Sequence, residues 1–225
     1  MTSPLDNTVW SSLTGHHAHL ATIAGGAVRL PADVSVFAGL SDPTDESAWA
    51  DLGKLAGADG VLVVGVPEIP AGWDVEVDVP GVQLVATRPI GAPEAEAVPL
   101  GPADVPEILD LVARTKPGPF GQRTIEMGTY VGIRRDGALI AMAGERLRVP
   151  GWTEISAVCT DPAFRGQGLA SRLMRAIAAG IEVRGDIAFL HTGAHNTNAI
   201  RLYESMGFEL RRTTSFRLVR QHGLQ

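Results

Sequence analysis

The stretch Val158–Met174, VCTDPAFRGQGLASRLM, reads as the end of a strand, a corner, a glycine turn and the first turns of a helix. Asp161-Pro162 ends the strand, because proline has no N–H to continue a ladder. Gly166 and Gly168, followed by the small Ala170, let the backbone come close to a ligand. The helix behind them points unpaired N–H groups and a partial positive charge back at the same spot. That geometry suits an anion, most often a phosphate.

Two common phosphate-binding patterns fail here. A P-loop needs Lys-Ser/Thr after its second glycine, whereas Gly168 is followed by Leu169 and Ala170. A dinucleotide fingerprint starting at Gly166 would need a third glycine where Ser171 stands. It would also need an acid at the far end of the next strand, and Asp186 precedes that strand, IAFLHTG.

Working outward, GLASRLMRAIAAGIEVRG predicts a helix with Leu169, Leu173, Ile177 and Ile181 at four-residue spacing. IAFLHTG reads as a short buried strand, and NAIRLYESMGF as a helix closed by Gly207 with Phe208 behind it. FELRRTTSFRLVR supplies one or two closing strands. Upstream, ADVPEILDLVART is an amphipathic helix with Val105, Ile108, Leu109 and Val112 on one side. YVGIRRDGALIAMAGERLRV is two strands joined at Asp136-Gly137, and TEISAVCTD is another strand. This order predicts a mixed sheet with helices packed on it.

The segment Arg88–Pro106, rich in proline, glycine and alanine, reads as a linker or a domain-entry segment. It predicts a small α/β part over residues 1–95 and a larger domain over residues 96–225. In the first part, DESAWADLGKLAG reads as a helix capped by Asp45 or Ser47, and GVLVVGV as a buried strand. WDVEVDV and GVQLVAT read as two extended pieces. Trp73, Val75, Val77 and Val79 alternate with Asp74, Glu76 and Asp78, the mark of a half-buried strand.

RGQGLA, Arg165–Ala170, fits the pattern R/Q-x-x-G-x-G/A, and about thirty residues later come Asn196 and Tyr203-x-x-x-Gly207-Phe208. In these motifs the chain from about Ala97 onward resembles the GNAT superfamily of N-acetyltransferases, in particular the branch that includes the glycine N-acyltransferases. The first 95 residues carry no matching motif; by analogy alone they resemble a degenerate half of a tandem GNAT arrangement. The resemblance implies an α/β fold, a GNAT-type mixed and mostly antiparallel sheet with flanking helices. It implies acetyl-CoA as co-substrate, its pyrophosphate held by the backbone of Gly166, Gln167, Gly168, Ala170 and Ser171, with Arg165 adding charge. The amides of Val158 and Thr160 would pair with the pantetheine arm and polarise the thioester. Tyr203 falls where the family keeps a tyrosine that protonates the leaving thiolate; it also lines up with Ala199 and Met206 as a core aromatic would. Asn196 either caps its helix or contacts the cofactor.

For a general base, Glu154 is the first choice. Period-two alternation puts it on the face of Ser156, Val158 and Thr160, and a carboxylate in WTEISAV is costly to bury without a partner or a task. Glu145 and His191 are the other candidates, and either glutamate could instead form a buried bridge with Arg146 or Arg148. Cys159 should face away from Val158 and pack in the core rather than act as a nucleophile.

The whole chain sets outer bounds. Its 225 residues are 45% hydrophobic, and 19 basic against 25 acidic side chains give a net charge of −6. That balance argues against nucleic acid as the main partner; it mildly favours a cationic substrate, although a solvated acidic surface is the plainer reading. One cysteine rules out an internal disulfide framework and cysteine-rich zinc sites. His16, His17 and His19 lack partners at ligand spacing, so no metal is expected. No apolar run approaches the ~20 residues of a membrane span, and the opening residues do not read as a signal peptide. The expectation is a cytoplasmic, acetyl-CoA-dependent N-acetyltransferase acting on a primary amine of a small molecule or peptide. It has no metal, nucleic-acid or membrane partner, and a homodimer is left open. The alternatives are a non-catalytic CoA- or acyl-CoA-binding regulatory module, or an enzyme using a longer acyl-CoA.

Overall fold

The structure, a computed structural model, describes residues 3–223. Helix α1 (Thr8–Leu13) leads into a small antiparallel sheet of β1 (Thr22–Ala24), β2 (Ala27–Arg29) and β3 (Ala38–Leu40). Helix α2 (Glu46–Leu55) follows; of the two candidate caps it is Asp45 whose side chain accepts from the Ser47 N–H, at 2.8 Å. Then come β4 (Val61–Val64), β5 (Trp73–Ala86), β6 (Val98–Leu100), α3 (Val105–Thr115), β7 (Tyr130–Arg135), β8 (Ala138–Val149) and β9 (Trp152–Thr160). The chain ends with α4 (Leu169–Val183), β10 (Ile187–Gly193), α5 (Thr197–Met206) and β11 (Phe208–Gln221).

Eight strands form the main sheet in the order β4-β11-β5-β10-β9-β8-β7-β6. Every neighbouring pair is antiparallel except β9 and β10. The expected boundary between residues 95 and 96 does not divide this sheet. Strand β5, from the first part, lies between β10 and β11, and the closing strand β11 pairs only with β4 and β5. The two extended pieces expected over residues 73–87 are one continuous strand, β5. Its Pro80 is tolerated because pairing with β10 stops at Gly81.

Helices α4 and α5 cover one face. The α4 row Leu169, Leu173, Ile177 and Ile181 is fully buried there against Val82, Leu84, Ile155 and Leu190. Each such side chain is worth roughly 1.5–3 kcal/mol relative to exposure. The opposite face carries the N-terminal residues, with Leu5, Val9, Leu13 and Phe37 packed on Leu147, Val149 and Phe189. Helix α3 covers the same side further along, burying Val105, Ile108 and Leu111; Leu109 and Val112 are only half-buried. Asp136 and Gly137 turn β7 into β8 with φ of 50° and 83°, as a type I′ hairpin turn requires.

Candidate active site

Strands β9 and β10 pair only at Ile187–Trp152, Ala188–Thr153 and Phe189–Glu154. Beyond that point β9 stays with β8 as far as Thr160, and β10 stays with β5 as far as Gly193. The sheet therefore opens between them, and a cleft of about 810 Å³ fills the opening.

A bulge in β9 sets which side chains face it. Pairing steps from Ser156–Gly144 to Cys159–Met142, so three residues on β9 oppose two on β8. Ala157 takes the extra position with φ of 54°. One inserted residue reverses the alternation beyond it. Ile155 and Val158 consequently both pack toward α4, whereas Ala157 and Cys159 pack toward α3. The expectation that Glu154 shares a face with Val158 and Thr160 is thereby corrected: Glu154 lies on the α3 and N-terminal side. Cys159 is buried, and burial pushes its thiol pKa up.

Val158, Thr160, Arg165, Gly166, Gly168, Ala170, Ser171, Asn196 and Tyr203 all line the cleft. Gln167 is exposed beside it without lining it. Gly166 and Gly168 have φ of 78° and 73°, and a Cβ at either would meet nothing within 4 Å. Their backbone is thus open toward the cleft. Gly168 caps the fifteen-residue α4 without any side-chain hydrogen bond, leaving first-turn amides for an outside acceptor. The Thr160 hydroxyl is buried with no partner among the described residues. An open glycine loop, free helix amides and an orphaned hydroxyl fit a phosphate-bearing ligand.

Glu154 is fully buried. Its Oε2 accepts from Arg146 Nε at 2.8 Å, and its Oε1 accepts from Arg146 Nη2 at 2.7 Å and from His191 Nδ1 at 2.7 Å. Burial alone would raise its pKa, but the Arg146 guanidinium and the His191 contact hold it well below the usual carboxylate range. A carboxylate so stabilised is a poor proton acceptor, so its partners rather than a free lone pair explain its burial. Glu145 lies outside the cleft, paired with Arg184 at 2.7 Å.

His191 lines the cleft, and its proton is located by its neighbours. Arg211, which can only donate, reaches Gln83 Oε1 at 2.8 Å. Gln83 Nε2 then donates to Leu5 O and to His191 Nε2, each at 3.0 Å. His191 is left with its proton on Nδ1, donating to Glu154.

Tyr203 sits on α5 beside Phe208, ring centroids 6.2 Å apart, and burial raises its phenol pKa. Asn196 accepts from the Ala199 N–H at 3.4 Å and so caps α5 while lining the cleft. The N-terminal histidines are apart from all of this. His17 is buried, its Nε2–H donating to Met127 O at 2.7 Å and its Nδ1 2.8 Å from Ser12 Oγ. Among the described residues no three His, Cys, Asp or Glu side chains group as metal ligands.

The sequence reading missed the far end of the cleft, on the N-terminal side of the sheet. Phe37, Leu62, Val77, Val79 and Phe216 wall it, with Arg146 among them. The β5 alternation was a usable signal. Val77, on that alternating row, is 44% exposed and lines this end of the cleft, an apolar residue left outside the core.

Relatives of the chain bear on this geometry. Residues 130–217 match the family model described as FR47-like protein. A solved structure from Novosphingobium aromaticivorans, described as a GNAT-family acetyltransferase, is 40% identical. It superposes with a TM-score of 0.90 over 98% of this chain and 99% of that one. A GCN5-related N-acetyltransferase from Kribbella flavida shares the fold at 20% identity, with a TM-score of 0.60 over 93% of each chain. N-alpha-acetyltransferase RimI of Mycobacterium tuberculosis is 37% identical over 83 residues, 36% of this chain and 51% of that protein. An uncharacterized protein of Mycobacterium leprae is 30% identical over 210 residues, 83% of this chain and 56% of that protein. The chain thus spans about half the length of the curated relatives it matches. A mixed, mostly antiparallel sheet opened at its one parallel pair, with a glycine loop at the opening, is the GNAT architecture. The chain belongs to the GNAT family of acetyltransferases.

Proposed function

We propose that the protein transfers an acetyl group from acetyl-CoA directly to a primary amine of a small molecule or peptide. The observation that carries this reading is a cleft running through the sheet, with an open glycine loop on the α4 side and Tyr203 in its wall. The name of the Mycobacterium tuberculosis relative, an N-alpha-acetyltransferase, and the resemblance to glycine N-acyltransferases support an amine as acceptor.

Acetyl-CoA supplies the thioester: the amine nitrogen forms a bond to its carbonyl carbon, the C–S bond breaks, and no covalent enzyme intermediate is needed. The loop amides from Gly166 to Ser171, with Arg165 and Asn196, would hold the donor, and the amides of Val158 and Thr160 would orient its arm. A backbone N–H aimed at the thioester oxygen stabilises the charge that develops there. The Tyr203 phenol gives its proton to the departing sulfur. A phenol with a reference pKa of ~10 and a thiol of ~8.5 are close enough for that transfer, and a raised phenol pKa keeps the proton in place. No carboxylate lines the cleft among the described residues and both ring nitrogens of His191 are engaged, so the proton lost by the amine leaves through the imidazole of His195 or through water. Glu154 serves as the charge partner that positions Arg146 and His191.

A thermal-shift titration with acetyl-CoA, with NAD as control, followed by thiol release against a panel of amines, tests the reading. Ligand at ~100 times its Kd should add about 2.7 kcal/mol of stability. Tyr203→Phe should lower kcat at least about 100-fold, the low end for general acid catalysis, with acetyl-CoA affinity little changed. Full activity in that variant would remove Tyr203 from the scheme. Binding without turnover on any amine would leave a CoA-binding module.

A further inference from the structure

The glycine loop and α4 lie on one face of the sheet, whereas Phe37, Arg146 and Glu154 lie on the other. A donor on the loop therefore leaves the second face for the acceptor. The chemistry of that face is narrow. Its walls are Phe37, Leu62, Val77, Val79 and Phe216, and no Asp or Glu lines the cleft among the described residues. A second cation on the acceptor would find no counter-charge there, despite the net charge of −6 on the chain as a whole.

Arg146 spends two of its five N–H donors on Glu154, and those of Nη1 are left over. Pairing of β8 with β9 slips between Glu145 and Arg148, and this bulge turns Arg146 toward Glu154 and over the Phe37 ring, 4.7 Å from its centroid. Nε and Nη2 are taken by Glu154, while Nη1 has no partner among the described residues. The side chain keeps 11% exposure and lines the cleft. A guanidinium N–H can only donate, so it calls for an acceptor oxygen. The charge of Arg146 is already cancelled by Glu154, and His191 carries a single proton. A carboxylate would bring an unbalanced charge into this enclosed end, whereas an amide or ester carbonyl brings none. Lys116, on the strap after α3, is exposed and screened by solvent.

We propose that this end of the cleft selects an amine with an apolar body and an uncharged carbonyl oxygen beside the amine, docked by Nη1 of Arg146. The inference rests on the acetyltransferase reading above and names its acceptor class.

Four acceptors tested with acetyl-CoA decide it: phenylalanine amide, phenethylamine, free phenylalanine and spermidine. The amide should have the highest kcat/KM, about tenfold above phenethylamine for one added hydrogen bond. Free phenylalanine and spermidine should be poorer still. Arg146→Lys keeps a cation opposite Glu154 but loses the planar fork that holds Nη1 toward the cleft while the other nitrogens bind Glu154, so the ratio of amide to phenethylamine should fall toward one. Val77→Arg changes an exposed wall residue; it should raise the KM for the amide at least about tenfold while acetyl-CoA affinity holds. It decides the matter if Arg146→Lys does not fold. Equal turnover of amide and phenethylamine, a preference for the free acid or spermidine, or an unchanged ratio in Arg146→Lys overturns the proposal. Acetyl-CoA binding with spermidine as the sole acceptor overturns this inference and leaves the acetyltransferase reading standing. Failure to bind acetyl-CoA overturns both.

Discussion

Glu154 shows how an environment changes what a residue can do. In water a glutamate is a serviceable base; enclosed between Arg146 and His191, its ionised form is stabilised and its lone pairs are spent. Glu154→Gln should therefore lower activity by the same factor at every pH, where loss of a general base would spare the high-pH end. It should also cost about 3–5 kcal/mol of stability, since Arg146 would be left as an uncompensated buried charge. A pH–rate profile together with a denaturant titration checks both. His17 makes a contrasting case. Burial lowers its pKa from 6.5 to about 4, so the folded state keeps it neutral, between Ser12 and Met127 O, where the unfolded chain already takes up a proton. Stability should fall as pH drops from 6.5 to about 4, by up to about 3 kcal/mol from this group. Melting curves across that window should show a shallower acid limb in His17→Gln; an unchanged slope would clear His17 of the effect.

At the scale of elements, the bulge in β9 divides the work of one strand between two faces. Ala157 at φ 54° is the hinge of that division, and a β-branched side chain is strongly disfavoured there. Ala157→Val should destabilise the fold, because β-branching adds to the left-handed strain that the alanine Cβ already carries. It should also weaken acetyl-CoA binding, because relaxing the bulge swaps the faces presented by Val158 and Cys159. Isothermal titration beside a thermal melt separates the two effects, and an intact affinity would show that the bulge can shift without moving Val158.

The molecule as a whole is knitted by β5. Because this strand sits between β10 and β11, the sheet cannot be completed by residues 96–225 alone. A fragment of those residues should lack a cooperative thermal transition, and the full chain should melt as one unit. A well-dispersed amide spectrum from the fragment would contradict this. The same arrangement explains how the first part of the chain serves the site, since Phe37, Leu62, Val77 and Val79 wall the cleft that the second part opens.

The strand–loop–helix at Val158–Met174 was legible because its information is local. Proline stops a ladder, glycine permits left-handed backbone, and a row of Leu and Ile four apart makes one helix face. The order of helices and strands after residue 97 followed from the same short-range rules. Three things were not legible. The bulge at Ala157 comes from the pairing of β9 with β8, and no periodicity within β9 announces it. The bridge of Glu154 to Arg146 was one of several pairings the sequence left open, and its contact with His191 joins residues 37 positions apart. The course of β5 between β10 and β11 is settled by burial across more than a hundred residues of chain. Local sequence thus determined the strand–loop–helix corner and pointed to the family. Tertiary structure alone decided which face each β9 side chain occupies, which of the open pairings Glu154 takes, and what walls the far end of the cleft, because those outcomes depend on partners that chain folding brings together from afar.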